Sequence, residues 1–385
     1  MTKNYELKTL GSVATYINGR VFKPSEWEST GLPIVRIQNL TDKNAKCHYS
    51  SAAYEEKYKI HNGDLLFAWS ASLGAHIWNQ NDAWLNQHIF KVIPNDNIDK
   101  LYLYYFLQKV IAELYLKTHG SGMVHITKGP FMNTPIPVPS YTEQSRIVAR
   151  IEELFSELDK AVDTLKTTKE QLEVCRQAGL VDAFRVATNS TRLKIGYVCA
   201  KIVDCPHSTP KWEKNGKLCL RTTNFKRGYL DLQSPNYVSE ETFNDRNRRI
   251  IPQPGDVLYS REGSVLGIAC TIPSNVYPCL GQRMMLLRSG EKLNNRYLMH
   301  YLNSPMVTNH VIATKGGTGS PHINVGDIKE FKIPIPSLEE QSNIVRQIEE
   351  QLSSCDNVEK TVDAILAQAD AMRQSILKQA FEGTL

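Results

Sequence analysis

Long apolar runs are missing from these 385 residues. No stretch approaches the roughly 18 uninterrupted apolar residues a membrane span requires. The opening Met-Thr-Lys-Asn-Tyr-Glu-Leu-Lys is polar and lacks the apolar core of a secretory signal. A cytoplasmic location is expected. Paired cysteines are missing too. The eight at 47, 175, 199, 205, 219, 270, 279 and 355 form no Cys-x-x-Cys, which fits neither a zinc site nor a disulfide framework, so reduced thiols are expected. No Gly-x-x-x-x-Gly-Lys-Ser/Thr, no His-Glu-x-x-His, no Gly-x-Ser-x-Gly and no Asn/Asp-Pro-Pro-Tyr occurs. These absences argue against a nucleotide-hydrolysing, zinc-protease, serine-hydrolase or amino-methyltransferase site in the chain itself.

A strong internal repeat is present. Gly11, Val13, Trp27, Gly31, Arg36 and Asn39 match Gly196, Val198, Trp212, Gly216, Arg221 and Asn224 at an offset of 185. Gly63-Asp64 matches Gly255-Asp256 at 192, and Leu85 and Gln87 match Leu280 and Gln282 at 195. From Gly120, Gly122, His125, Ile126 and Gly129 the offset to Gly317, Gly319, His322, Ile323 and Gly326 is 197, and it holds to Ile147-Val148 and Ile344-Val345. An offset that only grows is what loop insertions in a tandem duplication produce.

Each half reads as mixed α/β. Strands are expected at 34–37, 64–68 and 89–93, then at 218–221, 256–259 and 284–287. Helical spacing covers 101–116 and 296–312. A Gly-rich turn, a proline-studded strand and a long helix follow in both halves. The helix starts carry Ser140-x-x-Glu143 and Ser337-x-x-Glu340, capping-box patterns. Ile147, Ile151, Leu154, Leu158, Ala161, Leu165, Thr168, Leu172 and Cys175 step by four and three, a heptad seam. Ile344, Ile348, Gln351, Cys355, Val358, Val362, Ile365, Ala369, Met372 and Ile376 do the same, widened by Leu352 and Leu366. The predicted boundaries are a globular domain at 1–140, a helical spacer at 141–190, a second globular domain at 191–337 and a helical region at 338–385.

Charge follows this division. Residues 1–140 carry +3 and 192–337 carry +9, whereas 141–191 carry −2 and 338–385 carry −5. Basic globular halves suit a polyanion, since neutralising phosphates supplies most sequence-independent affinity for nucleic acid.

The duplicated Gly-x-Gly-x-x-His-Ile, Ile-Pro-x-Pro-Ser and Glu-Gln-Ser-x-Ile-Val segments (Gly120 to Val148, Gly317 to Val345), the opening Leu-Gly-Ser-Val-Ala-Thr-Tyr and the helix pair carry a family resemblance. Over essentially its full length the chain resembles the specificity subunits of type I restriction-modification systems. The resemblance implies two pseudo-two-fold-related mixed α/β target-recognition domains joined by two long antiparallel helices forming a coiled coil. It implies that each domain reads half of a split, asymmetric site in double-stranded DNA. It further implies docking of two adenine methyltransferase subunits and of motor-nuclease subunits, with S-adenosylmethionine, ATP and Mg²⁺ held by those partners and none by this chain. A free-standing DNA-binding regulator and a coiled-coil scaffold without a DNA role are the competing readings.

Matched positions are expected to be scaffold, and base reading is expected where the halves diverge. The segment after Gly63-Asp64 offers Trp69, Ser70 and Ser72, and its counterpart offers Tyr259, Arg261 and Glu262, the last two suited to guanine and cytosine. Arg261 is the first choice, and its loss is expected to relax reading of one half-site. His88 and Arg283 diverge after the matched glutamines. Phosphate contacts are candidates at Arg36, Arg221, Arg246, Arg248 and Arg249 and in the Gly-rich turns at His119, Ser121, Lys315 and Thr318, and DNA contacts more generally at Arg20, Lys23, Lys128, Lys226 and Arg227. For Arg36 and Arg221, for the 246–249 run and for the Gly-rich turns a purely structural role is an equal alternative, and for His125 and His322 capping of the following strand is the favoured reading over DNA contact. Helix pairing or partner docking is assigned to Ile147, Ile151, Leu154, Leu158, Leu165, Leu172, Ile344, Ile348, Leu352, Val358, Val362, Ile365 and Ile376. A helical ruler predicts that inserting residues between Thr167 and Glu170 changes the length of the unread DNA spacer. Methylome sequencing of an active insertion variant checks this, and an unchanged spacer refutes it.

Overall fold

The computed structural model describes residues 5–42, 44–70, 72–117, 128–314 and 321–385. It divides into two compact units, residues 1–165 with 363–385, and residues 166–362.

In the first unit, four strands form an antiparallel sheet in the order Ala14–Asn18, Ile89–Pro94, Leu65–Ala68, Gly74–Ile77. A second sheet runs His48–Ser50, Leu32–Val35, Ala83–Leu85, Lys59–Ile60, with its middle pair parallel. The strand Glu6–Thr9 pairs with the proline-rich Pro135–Val138. The second unit repeats the plan. Its main sheet runs Cys199–Asp204, Met284–Ser289, Val257–Ser260, Ala269–Thr271. A smaller sheet runs Tyr237–Val238, Lys217–Leu220, Cys279–Leu280, again with one parallel pair. Arg192–Lys194 pairs with Lys332–Pro334.

The repeated sequence positions explain themselves as turns and clamps. Gly63 and Gly255 sit at φ of 89° and 88°, where a Cβ is strained. The aspartate after each closes the turn by accepting the N–H of His61 and of Gln253, both at 2.8 Å. Asn39 and Asn224 accept the N–H of Arg36 (3.0 Å) and Arg221 (2.8 Å). The most demanding pair is Gln144 and Gln341, both fully buried in the first turn of a long helix. Gln144 Oε1 accepts Asp99 N–H at 2.8 Å, and its amide donates to Asn97 O and Pro139 O at 3.0 Å. Gln341 does the same with Asn294 N–H, Lys292 O and Pro336 O at 2.8, 2.9 and 3.0 Å. Each glutamine thus satisfies three backbone groups of two segments that would otherwise be desolvated without partners.

The long helices span Tyr141–Arg185 and Leu338–Glu382. At Ser337 the capping box is complete: Ser337 Oγ accepts Glu340 N–H (3.2 Å) and Glu340 Oε2 accepts Ser337 N–H (2.9 Å). At Ser140 only the serine half forms (3.4 Å), because the Glu143 carboxylate is bonded to Tyr5 and Arg146.

Each domain core is completed by the start of one long helix and the end of the other. In the first unit, Ile147, Val148 and Ile151 share a core with Tyr102 and Phe106 and with Leu377, Ala380 and Phe381. Phe381 meets Tyr102 and Phe106 edge-on at 5.0 and 5.1 Å. In the second, Ile344, Val345 and Ile348 share a core with Tyr297 and Tyr301 and with Leu180, Phe184 and Ala187. Phe184 meets Tyr297 and Tyr301 at 5.1 and 5.2 Å.

Two expectations need correction. The helix expected at 296–312 is two helices, Asn295–Asn303 and Pro305–Thr314. Pro305 has no N–H to donate, and Ser304 before it is extended (φ −71°, ψ 153°). The heptad seam is also narrower than its pattern. Cys355, Val362 and Ala369, one residue per heptad, are buried, but Val358, Ile365 and Met372 are 43%, 43% and 56% exposed. Two facing helices need only one narrow stripe, so Val358 and Ile365 are not pairing residues within this chain. Ile147, Ile151, Ile344, Ile348 and Val362 are buried, while Leu154, Leu158, Leu165, Leu172, Leu352 and Ile376 are half-buried. Polar contacts flank the stripe. Arg176 bridges Asp356 and Glu359, both at 2.7 Å, and Arg373 pairs with Asp159 while lying over Phe155.

Replacing Gln341 with Ala leaves three part-buried backbone groups without their partner. It is expected to lower unfolding free energy by about 2–4 kcal/mol, measured by urea titration of the full chain. A loss below about 0.5 kcal/mol, within the range of ordinary surface substitutions, would mean that solvent replaces the clamp.

Candidate nucleic-acid interface

Three divergent pairs, Asn18/Asp204, Trp69/Arg261 and His88/Arg283, lie together at one end of the strands of each main sheet, on one shared backbone frame. In the first unit Asn18 pairs in register with Phe90. In the second, a bulge between Cys199 and Lys201 adds one residue, so that Asp204 pairs with Met285. Asn18 and Asp204 therefore occupy the same place although their sequence offset differs from that of the preceding residues.

The next strand supplies the partner. Trp69 Nε1 donates to Asn18 Oδ1 at 3.2 Å, and the indole lies against Phe90 and His88. At the matching position Arg261 makes a bidentate pair with Asp204, Nε to Oδ1 at 2.8 Å and Nη2 to Oδ2 at 3.0 Å. His207 Nε2 lies 3.2 Å from the same carboxylate. Backbone bonds are shared as well: Trp69 N–H donates to His88 O (3.1 Å) and Arg261 N–H to Arg283 O (3.0 Å). Each domain thus ties its first strand, third strand and β-turn together at one point, by an indole–amide bond in one case and an ion pair in the other.

This geometry corrects several site expectations. Arg261 is only 7% exposed and its guanidinium is engaged by Asp204, so it is a strut and not the leading base reader. Tyr259 is fully buried in the core, where desolvation raises its phenol well above its ordinary pKa. Arg246 is buried and donates to the carbonyls of Leu280, Gly281, Ser208 and Pro206, pinning the loop that follows Asp204. Ser70 is buried as well. None of these four presents a side chain to a polyanion.

Other arginines have internal partners. Arg20 pairs with Glu26 at 2.6 Å and lies over Phe22 and Tyr54. Arg36 and Arg221 lie over Trp27 and Trp212 at 5.8 and 5.3 Å, a matched cation–π pair that explains why Arg and Trp recur together. Exposed candidates are Lys23, Ser72, Lys128, Lys226, Arg227, Arg248, Arg249 and Arg283. Of these, Arg227 donates to Asn303 O, Arg248 pairs with Asp245, and Arg283 lies 3.7 Å from the half-buried Glu262. Lys226 ends the first strand and Arg227 stands at the tip of a hairpin, Phe225–Lys226 with Tyr229–Leu230, that the first unit lacks among its described residues. His88 is half-buried. His322 forms a bridge with Glu262. His119, Ser121, Lys315 and Thr318 lie outside the described residues, as do His125 and the paired glycines 120, 122, 317 and 319. Among the described residues no group of three or more His, Cys, Asp or Glu is placed to hold a metal ion, and no helix is long and apolar enough to cross a membrane.

Asn18, Asp204, His207 and the two buried glutamines were not found by reading the sequence for divergence. Asn18 and Asp204 were hidden by the one-residue bulge. The glutamines were visible as matched positions, but nothing in a sequence distinguishes a buried clamp from a surface helix residue.

The sequence matches the type I restriction modification DNA specificity domain twice, over residues 2–174 and 200–366. The chain belongs to that family. It is 24% identical to the EcoBI specificity subunit of Escherichia coli, covering 98% of this chain and 85% of that one. It is 22% identical to the MjaVIII specificity subunit of Methanocaldococcus jannaschii, covering 100% and 93%. Among solved structures, a chain from work on complex assembly and conformational transition of the type I R-M system superposes with a TM-score of 0.70 at 22% identity, covering all of both chains. The HsdS subunit of Thermoanaerobacter tengcongensis gives 0.57 at 22% identity, covering 99% and 97%. The two-domain α/β fold with its long helices is therefore the family fold, and sequence-specific DNA recognition within a restriction-modification system is the family role.

Replacing Arg261 with Ala strands the Asp204 carboxylate in a partly buried site. The expected outcome is a loss of about 2–4 kcal/mol of stability, read by denaturant titration, with the thermal midpoint falling accordingly. A variant as stable as the parent would return Arg261 to the role of a free reader.

Proposed function

We propose that this chain reads a split, asymmetric target in double-stranded DNA on behalf of catalytic subunits, one half-site per globular domain. The observation that carries the reading is the shared edge frame with exchanged chemistry: Asn18, Trp69 and His88 in one domain stand where Asp204, Arg261 and Arg283 stand in the other. Two similar frames suit two similar grooves, and different side chains on them suit different base pairs. Exposed basic residues of the second domain (Lys226, Arg227, Arg248, Arg249) supply sequence-independent phosphate attraction. Ser72, Lys23 and Lys128 are the corresponding exposed candidates of the first domain.

The long helices fix the distance between the two reading domains and so set a spacer whose bases go unread. Their 45 residues each give about 68 Å at 1.5 Å per residue, ample for sites one DNA turn, roughly 34 Å, apart. The exposed row Val358, Ile365 and Met372 and the half-buried seam residues are docking positions for two adenine methyltransferase subunits. Motor-nuclease subunits join the same assembly. S-adenosylmethionine, ATP and Mg²⁺ belong to those partners, and this chain is a non-catalytic, cytoplasmic recognition subunit.

The test is methylome sequencing of a host expressing the methyltransferase partner with and without this chain. The expected result is a split adenine-methylated motif that requires the chain. An identical methylation pattern in its absence would refute the assignment. Tight, split-site binding by the purified chain alone would favour a free-standing regulator.

A further inference from the structure

Ten described residues besides Asn275 have a backbone in the left-handed region, and eight of them are glycine. Glycine is the default there because it has no Cβ to clash with the carbonyl, and asparagine tolerates the conformation better than most residues. The two exceptions are His88, at φ 72°, and Arg283, at φ 65°. Arginine is the sharper outlier. The two are not scattered. They hold the same position in the two domains, one residue after the matched Gln87 and Gln282 and at the start of a core strand. Their carbonyls are held by the same backbone donors, Trp69 N–H and Arg261 N–H.

The strain has no evident internal compensation. Neither side chain makes a hydrogen bond within the described residues, and His88 Nδ1 is buried without a partner. The His88 ring meets Trp69 edge-on at 4.9 Å. The Arg283 side chain is 53% exposed, and its contact is a 3.7 Å approach to Glu262, too loose and too solvated to justify a strained backbone. A glycine would fold here more easily. Non-glycine residues of different chemistry at one strained, matched position indicate that the side chain is kept for a ligand.

Resting on the reading above, we propose that this turn position is the principal base-reading position of each domain: Arg283 donates to a guanine edge in one half-site, and His88 hydrogen-bonds a base edge in the other. The Trp69 and Arg261 N–H groups hold the turn by its carbonyl, the Arg283 side chain is more than half exposed, and the His88 ring is half-buried against Trp69. The 3.7 Å approach to Glu262 leaves the guanidinium open to a guanine edge. An arginine fork matches the two acceptors of guanine in the major groove, O6 and N7, whereas an imidazole offers a single donor or acceptor, so the two positions select differently.

The test uses the full chain with its methyltransferase partner and reads the methylome together with the thermal midpoint of the purified chain. Arg283→Gly is expected to leave the midpoint unchanged or raised and to cut discrimination at one or two base pairs by about 10- to 100-fold, within one half-site. His88→Gly is expected to do the same in the other half-site, and His88→Arg to shift that half-site's preference toward guanine. An unchanged motif in both glycine variants overturns the proposal. A loss spread over both half-sites also overturns it, since that marks a general positioning role. If the parent chain itself directs no split motif, the underlying functional reading fails instead.

Discussion

Neither globular domain closes its own core. Phe381, at the far end of the chain, is part of the same core as Tyr102 and Phe106, and Phe184 is part of the core of Tyr297 and Tyr301. Burying an aromatic ring of this size contributes on the order of 2–3 kcal/mol, a sizeable share of the stability of a domain. The long helices are therefore parts of the cores they connect and not tethers laid between finished domains. The buried glutamines reinforce this by tying the first turn of each long helix to Asp99 and Asn294, at the start of the helices that carry Tyr102 and Tyr297.

That dependence explains why the duplicated sequence is most alike from the proline-rich strand into the first helical turns. The strand, the capping serine, the glutamine and the two aliphatic residues after it all meet in one joint. Tyr102 and Tyr297 belong to it as well, each donating its hydroxyl to a carbonyl of the proline-rich strand, Pro137 O at 2.8 Å and Pro334 O at 3.0 Å. These groups are tied to one another by hydrogen bonds and shared core contacts, whereas at the strand ends the two domains use different pairs, Trp69 with Asn18 and Arg261 with Asp204. On the proposed function, one plan carries two different reading surfaces.

Much of this was legible in the sequence, because repeats, caps and hydrophobic periods are local signals. The mixed α/β halves, the long helices and the family follow from them. What was hidden involves pairing between distant residues. Arg261 looked like an exposed reader because a charged residue in a divergent loop usually is one. Its aspartate lies 57 positions earlier and is masked by a bulge that shifts the repeat by one. Tyr259 and Arg246 were divergent yet buried, since divergence tracks the interior of a domain as well as its surface. The heptad pattern marked every apolar step, but two facing helices use a single stripe, so Val358 and Ile365 stay exposed. Left-handed backbone at His88 and Arg283 leaves no trace in residue type when the residue is not glycine.

The unbroken helices carry one further consequence. An α-helix advances about 1.5 Å and turns about 100° with each residue, so its length and its azimuth cannot be changed independently. One inserted residue turns everything beyond it by more than a quarter of a circle, while seven add about 10.5 Å and return to within about 20° of the original bearing. DNA is itself a screw, with a turn every 10 to 10.5 base pairs. On the proposal that the helices set the distance between two reading domains, matching one screw to the other would make the accessible spacings discrete.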